Sequence, residues 1–195
     1  MKPQKSFIKN QRYSISIEKD DKETFVKFTV IPSSYTLKSA VNFLLLIALN
    51  SIVVRSFLEK FELTFYKALM FRMSLFFVTS MMLRKPTIES MTVIRNYGVQ
   101  MTKMNGLVVC PNSWTEPWIK RSDFLPRDTV VDIIINEGFV KNQQVIFYLA
   151  ILVKEAKRLT LLFSSTRLRL KDQRAVYNMA RNCLFDKKKP FHTDI

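Results

Sequence analysis

The fold is decided by two runs of strand-forming residues, Val130-Val-Asp-Ile-Ile-Ile-Asn136 and Val145-Ile-Phe-Tyr-Leu-Ala-Ile-Leu-Val153. Each is a short, mostly apolar run bounded by polar residues, which is the pattern of a buried β-strand. A third such run, Leu159 to Phe163, follows after a short charged segment. The three runs predict consecutive antiparallel strands.

Further strands are predicted upstream of these runs. Glu89 to Arg95 and Val99 to Met104 are strand-like, and Asn96-Tyr-Gly98 between them suits a hairpin turn. Near the N-terminus, residues Tyr13 to Ile31 alternate between polar and apolar around a charged turn, as in a β-hairpin with one buried face. Pro32 is expected to end that hairpin, because proline cannot donate to a ladder.

An amphipathic helix is predicted to close the chain. Asp172 is a suitable N-cap for it, and the following residues place an apolar stripe on one face. The stripe consists of Val176, Met179, Ala180, Cys183 and Leu184. Several antiparallel strands and one such helix predict a small barrel or sandwich of the pleckstrin-homology kind.

Two hydrophobic stretches lie between the predicted β-segments. Ala40 to Val54 holds fifteen residues without a formal charge, and Phe65 to Leu83 holds nineteen but includes Lys67 and Arg72. A full membrane span needs about 20 apolar residues. Three structures are therefore compatible with these lengths: two spanning helices, a hairpin that dips into the membrane, and a buried helical hairpin of a soluble domain.

The distribution of positive charge favours a membrane hairpin. Residues 1–39 contain eight Lys or Arg against four acidic residues, and residues 84–195 contain nineteen against ten. The segment 55–67 between the stretches contains only three against two. Positive charge on both flanks is typical of a hairpin whose two ends lie in the cytosol. We therefore predict an α+β membrane protein, with a hydrophobic helical hairpin and an antiparallel β domain.

The predicted organisation has four parts. Residues 1–39 form a cytosolic N-terminal segment with a β-hairpin, and residues 40–85 form the membrane hairpin. Residues 86–185 form a cytosolic β-rich domain, and residues 186–195 form a basic disordered tail.

Composition argues against several classes of function. The net charge of +15 attracts polyanions and anionic membrane surfaces, but no zinc-finger, helix-turn-helix or RNP motif supports a nucleic-acid partner. Three glycines leave little scope for a phosphate-binding loop. Two distant cysteines and a single histidine, His192, argue against a metal site. We predict no catalytic, cofactor-binding or metal-binding residues, and hence no enzyme activity of the chain itself.

Three segments carry a resemblance to a known family. Glu89-Ser-Met-Thr-Val-Ile-Arg-Asn-Tyr-Gly-Val-Gln100 resembles the opening of the PIG-H domain. Val131-Asp-Ile-Ile-Ile-Asn-Glu-Gly-Phe139, followed by Gln144-Val-Ile-Phe-Tyr-Leu-Ala150, is similar to that family's most recognisable block. Asp172-Gln-Arg-Ala-Val-Tyr-Asn178 fits its closing helix. The order of polar N-terminus, hydrophobic hairpin and β domain is also shared, and the resemblance is closest to the fungal members.

The resemblance implies a non-catalytic subunit of the complex that transfers N-acetylglucosamine from UDP-GlcNAc to phosphatidylinositol, the first step of GPI-anchor biosynthesis. It implies a location at the endoplasmic reticulum membrane, with both termini and the β domain in the cytosol. The implied partners are a catalytic PIG-A-type subunit, which this chain would scaffold, and membrane subunits of the PIG-C, PIG-P and PIG-Q types. An alternative is a membrane-anchored module that binds phosphoinositides through its basic β domain.

Two groups of residues are candidates for partner contacts. Asn136, Glu137 and Gly138 follow an apolar strand and suit a turn, in which glycine supplies positive φ and Glu137 is exposed. As a functional element, Glu137 would contact a basic surface of the catalytic subunit. Trp114 and Trp118 flank a Thr-Glu-Pro loop, and they suit a membrane-surface anchor, a partner surface or simple core packing.

Polar residues inside the hydrophobic stretches are candidates for packing within the membrane. A charge such as Arg72 at hydrocarbon depth costs roughly 2.5–3.5 kcal/mol. We therefore expect Arg72 to face a partner helix or a headgroup. Asn42 and Asn50 are expected to hydrogen-bond across helices.

Overall fold

The structure is a computed structural model, and it describes residues 4–20, 24–60, 65–107, 119–140, 144–156 and 158–185. The chain divides into two compact units. One, here called the β-unit, comprises residues 1–31, 88–103 and 121–195. The other, the helical unit, comprises residues 32–87 and 104–120.

The larger sheet of the β-unit has its six strands in the order of the sequence. They are β1 (Gln4–Lys9), β2 (Tyr13–Lys19), β3 (Phe25–Pro32), β4 (Ile88–Ile94), β5 (Gly98–Met104) and β6 (Lys120–Pro126). The predicted N-terminal hairpin is confirmed as β2 and β3, and β3 ends at Pro32 as expected. Since β3 pairs directly with β4, the strands before the hydrophobic stretches and those after them belong to one sheet.

The turn between β4 and β5 is also confirmed. Asn96 has φ of 62°, in the left-handed region that asparagine tolerates, and Gly98 has φ of 145°, which is adopted almost only by glycine. A Cβ on Gly98 would overlap with the carbonyl oxygen of Leu125. Glycine is therefore required there both by the backbone angle and by the close approach of the end of β6.

The smaller sheet consists of three antiparallel strands. They are β7 (Val130–Val140), β8 (Gln144–Val153) and β9 (Thr160–Leu162), in that order. The helix α3 (Leu170–Leu184) follows, and its predicted apolar stripe packs into a core shared with both sheets. The α+β class with antiparallel sheets and a closing helix is confirmed, while the likeness to a pleckstrin-homology domain stays a prediction.

The predicted cap at Asp172 is wrong. Helix α3 begins at Leu170, and its N-cap is Arg169, which makes no side-chain capping bond. Asp172 lies instead in the first turn and is buried, where its Oδ2 accepts hydrogen bonds from Tyr13 Oη at 2.6 Å and Asn10 Nδ2 at 3.2 Å. Tyr13 Oη in turn accepts the backbone N–H of Arg169 at 2.7 Å. The carboxylate thus joins the N-terminal strands to the closing helix.

Two helices form the helical unit, α1 (Tyr35–Lys60) and α2 (Phe65–Met82). The segment Tyr35–Ser56 of α1 is long and apolar enough to cross a membrane, with a mean hydropathy of 1.9 and 6% of its residues buried. In the described residues, α1 is the helix that meets this criterion of length and composition.

Candidate partner-binding surface

One face of the β7–β8 hairpin packs against the core along part of its length and extends beyond the core along the rest. The pairs that face the core are Ile133–Ile151 and Ile135–Leu149. Because side chains alternate along a strand, the next pairs on that face are Glu137–Phe147 and Phe139–Val145. We call the outer part of the hairpin, residues 136–139 and 144–148, the distal ribbon.

The distal ribbon exposes a patch of large apolar side chains. Phe139 is 80% exposed, Val145 49% and Phe147 39%. Glu137 is exposed on the same face. Clustered exposed apolar residues beside polar ones are typical of surfaces that bind a partner.

The turn predicted at Asn136, Glu137 and Gly138 is wrong, because all three lie inside β7. Asn136 pairs with Tyr148, and its Nδ2 donates to Tyr148 Oη at 3.1 Å. A Cβ on Gly138 would approach Tyr148 Cε1 to 3.1 Å. Glycine therefore leaves room for the Tyr148 ring at this position and does not supply positive φ. That Glu137 contacts a partner stays a prediction.

A cleft of about 390 Å³ lies where β9 ends beside β8. Its wall is mostly apolar, with Phe139, Phe147 and Leu161 among its lining residues. Arg167, Ser164 and Gln173 add polar groups. A pocket with an apolar wall and a few polar groups is the usual form of a binding site.

A buried carboxylate holds the loop that forms one side of this cleft. Glu89 on β4 is 2% exposed. Its Oε2 accepts the backbone N–H groups of Ser165 at 3.0 Å and Thr166 at 3.2 Å. Its Oε1 accepts the Ser165 and Ser164 hydroxyls and lies 3.2 Å from Lys103 Nζ. The loop is thus fixed by a strand about 75 residues earlier in the chain.

Gln173 is the buried polar side chain of the cleft. It is 2% exposed, and its Nε2 donates to the backbone oxygens of Phe147 at 2.8 Å and Leu168 at 2.9 Å. Its Oε1 is buried and has no hydrogen-bond partner among the described residues. An unpaired buried acceptor costs about 1–3 kcal/mol.

The helical unit contains the hydrogen bond predicted for Asn50. Its Nδ2 donates to Thr79 Oγ1 on α2 at 2.8 Å and also to the backbone oxygen of Leu46 at 2.8 Å. Asn42 Nδ2 donates to the backbone oxygen of Arg84 at 2.9 Å. The earlier residue, Asn42, bonds to residue 84, and the later one, Asn50, bonds to residue 79. The two helices therefore run antiparallel. Arg72 is exposed on α2, and its contact with a partner helix stays a prediction.

The other candidates from the sequence are only partly visible. Trp114 and Trp118 lie outside the described residues. Within the described ranges, no group of His, Cys, Asp or Glu is arranged to hold a metal ion. The cleft residues Phe147, Arg167 and Gln173 were not predicted, since they come together only through the pairing of β8 with β9 and the start of α3.

Comparison with known proteins identifies the family. Residues 90–164 match the family model described as "GPI-GlcNAc transferase complex, PIG-H component". The chain is 31% identical over 212 aligned positions to the phosphatidylinositol N-acetylglucosaminyltransferase subunit GPI15 of Saccharomyces cerevisiae, covering 95% of this chain and 93% of the yeast protein.

The chain belongs to the PIG-H family. The family match runs from within β4 to the loop after β9, so it contains the distal ribbon and most of the residues that line the cleft, while Glu89, Ser165 and Thr166 lie just outside it. As a PIG-H component, the chain is a subunit of a GPI-GlcNAc transferase complex in GPI-anchor biosynthesis, and the resemblance inferred from the sequence is confirmed. It is an accessory component of that complex rather than its catalyst.

Proposed function

We propose that this PIG-H chain scaffolds the catalytic, PIG-A-type subunit of the transferase at the endoplasmic reticulum membrane. The observation that carries the proposal is the 31% identity to the yeast transferase subunit over nearly the whole of both chains. The complex transfers N-acetylglucosamine from UDP-GlcNAc to phosphatidylinositol. The role of this chain is to bind and position the subunit that does so.

The distal ribbon supports a scaffolding role. It combines exposed Phe139, Val145 and Phe147 with one carboxylate, Glu137, on a rigid paired hairpin. Exposed aromatic residues on a rigid element lose little conformational freedom on binding and are enriched where binding energy is concentrated. Glu137 is suited to a basic group on the partner.

The helical unit supports a membrane location. Segment Tyr35–Ser56 has the length and hydropathy of a span, and α2 returns antiparallel to it through the Asn50–Thr79 bond. The chain leaves the larger sheet at Pro32 and re-enters it at Ile88, on two paired strands. Neighbouring strands lie about 4.8 Å apart, so both ends of the insertion are held at one place. This favours a hairpin with both flanks in the cytosol, docked among subunits of the PIG-C, PIG-P and PIG-Q types.

The first experiment tests the scaffold. A tagged full chain is purified in mild detergent, and the co-purifying catalytic subunit is measured for the wild type, Glu137→Lys and the matched control Glu155→Lys. Both glutamates are exposed, so each change should alter the free energy of unfolding by no more than about 0.5 kcal/mol. Glu137→Lys should lower recovery several-fold and change its salt dependence, since a contact between opposite charges becomes repulsive.

Two results would contradict the proposal. If no transferase subunit co-purifies with the wild type, the chain does not act as a scaffold. If the purified chain instead binds liposomes that contain one phosphoinositide, and ignores liposomes matched for charge, the alternative of a phosphoinositide-binding module is correct.

The second experiment tests topology. Tags at the two termini should both be cleaved by protease added to intact microsomes, because both flanks are predicted to be cytosolic. A glycosylation acceptor inserted at residues 61–64 should be modified only if that segment reaches the lumen. Protection of either terminal tag would exclude the hairpin topology.

A further inference from the structure

Strand β8 is longer than the strand that covers its outer edge. On one side it pairs with β7 from Gln144 to Val153. On the other side β9 pairs only with Leu149, Ala150 and Ile151. In the described part of the chain, no strand continues beside residues 144–148 on the β9 side. The smaller sheet therefore has an open edge at the distal ribbon.

The open edge presents hydrogen-bonding groups of the backbone. Phe147 directs its carbonyl to this side, because that oxygen accepts from the Gln173 side chain. Alternate residues of a strand direct their N–H and C=O groups to the same side, so Val145 presents its own groups in the same direction. A strand edge of this kind is a template for an added strand.

The segment that follows β9 turns away from this edge, and specific interactions hold it in that position. Phe163, directly after β9, has φ of 51°, which is uncommon for a residue with a side chain. Glu89 then holds Ser165 and Thr166 in place through their backbone N–H groups. The loop after β9 therefore does not continue the ladder, and the space left beside β8 is the cleft of about 390 Å³.

We infer that this cleft binds an extended segment of another subunit, which adds as a strand to β8 in line with β9. This inference rests on the proposed function. Side chains at alternate positions of the segment would meet the apolar walls made by Phe139, Phe147 and Leu161. Arg167, exposed at the cleft, selects a segment with a carboxylate at one end.

The chemistry of the cleft favours a peptide over a lipid chain. The Phe147 carbonyl already accepts from Gln173 Nε2, and the N–H and C=O groups of Val145 on the same side need hydrogen-bond partners once the cleft is filled. An extended peptide supplies donors and acceptors at the spacing of a ladder, whereas an acyl chain supplies none. Filling the cleft with an acyl chain would leave these groups unpaired, at a cost for each of them.

The test is photo-crosslinking within the intact complex. The photoreactive amino acid p-benzoylphenylalanine replaces Phe139, which lines the cleft and is 80% exposed. The control position is Tyr97, which is 72% exposed in the β4–β5 turn. The tagged full chain is purified in mild detergent with its partners, irradiated, and the adducts are mapped by mass spectrometry. Adducts from position 139 should map to one short segment of a partner subunit, and position 97 should not label that segment.

A second measurement separates strand addition from simple apolar contact. A synthetic peptide of the mapped segment should compete for the crosslink. The same peptide with N-methyl groups on alternate amides, on the edge that meets β8, should compete at least ten-fold more weakly. Arg167→Glu should weaken labelling of the segment by several-fold, and labelling should recover when the segment's carboxylate is changed to lysine.

The outcomes separate this inference from the proposed function. If the complex is recovered but position 139 labels only lipid or detergent, or labels nothing, the cleft is not a strand-addition site and the scaffold proposal stands. Equal competition by the N-methylated peptide would likewise overturn the inference. If no partner subunit co-purifies at all, the proposed function itself fails.

Discussion

Replacing Glu89 gives a direct measure of how the loop beside the cleft is held. Glu89→Ala removes the acceptor of two backbone N–H groups, those of Ser165 and Thr166. Hydrogen bonds to a charged group contribute about 1.5–3 kcal/mol each, so the lower value applied twice gives about 3 kcal/mol. The ion pair with Lys103 adds little, because the lysine side chain is 44% exposed and such pairs contribute roughly 0–1 kcal/mol.

Glu89→Gln is expected to be much milder. The glutamine oxygen can still accept both backbone N–H groups, and its NH₂ group can turn toward the hydroxyls of Ser164 and Ser165. The loss is then the ion pair and the charge assistance, about 1–1.5 kcal/mol. The control Lys103→Met removes the ion pair and the exposed hydrogen bond from Lys103 Nζ to Ser164 Oγ at 2.6 Å, but keeps the Glu89 carboxylate. We expect it to lower the free energy of unfolding by about 1 kcal/mol.

The assay is denaturant unfolding of the full chain in mild detergent, followed by the circular-dichroism signal of the sheets. Hydrogen exchange at the amides of Ser165 and Thr166 provides a local readout, and exchange should be much faster in Glu89→Ala than in Glu89→Gln. Equal losses of stability in the two variants would refute the reasoning, because the charge rather than the pair of acceptor bonds would then dominate. A loss below about 1 kcal/mol in Glu89→Ala would show that the loop is held by other contacts.

Further predictions concern a turn, a titrating hydroxyl and the helical hairpin. Gly98→Ala should lower the free energy of unfolding by about 3 kcal/mol or more, because strain from positive φ adds to the overlap with the Leu125 carbonyl; a change below 1 kcal/mol, measured by the same denaturant titration, would contradict it. Burial, with the Asp172 hydrogen bond and charge adding to it, raises the pKa of Tyr13. The Tyr13 hydroxyl therefore makes its full contribution to the free energy of unfolding below the unfolded pKa of about 10. That contribution is lost as the pH rises through the folded pKa. The stability advantage of the wild type over Tyr13→Phe should shrink above pH 10, and a constant difference from pH 8 to 11 would argue against this. Asn50→Leu should weaken the hairpin by about 0.6–1.5 kcal/mol, seen as faster hydrogen exchange in α1 and α2, and unchanged exchange would show that apolar packing alone holds the helices.

Sequence patterns located the strands where alternation was strong and missed them where it was weak. Strands β2 to β5 and β7 to β9 have apolar residues at strand spacing, and their positions were predicted to within a few residues. Strand β1 (Gln4–Lys9) is almost entirely exposed, and β6 (Lys120–Pro126) is polar and charged. Neither has an apolar pattern. Their place at the two edges of the sheet depends on pairing with neighbouring strands, which the sequence of β1 or β6 alone does not reveal.

Local rules for polar residues failed where a distant contact overrode them. Asp172 has the residue type of a helix cap, but a tyrosine 159 positions earlier binds its carboxylate. Gly138 has the residue type of a turn, but it lies inside β7, where the absence of a side chain leaves room for the Tyr148 ring on β8. The cleft depends on Glu89 and the loop after β9, which are separated by 75 residues or more. No pattern within a short window can contain such a pair.

The pairing of β3 with β4 also sets an order of events during synthesis. Residues 33–87 lie between these two strands, and at roughly 5–20 residues per second their translation takes about 3–11 seconds. During that interval the first three strands exist without β4, and the apolar side chains of Ile15, Val26 and Phe28, buried in the finished core, have nothing to cover them. Under the membrane-hairpin proposal, α1 and α2 enter the membrane in the same interval, before β4 can pair with β3. A newly made chain therefore exposes the most apolar surface before β4 has been made, and a pause in translation after α2 would lengthen that period.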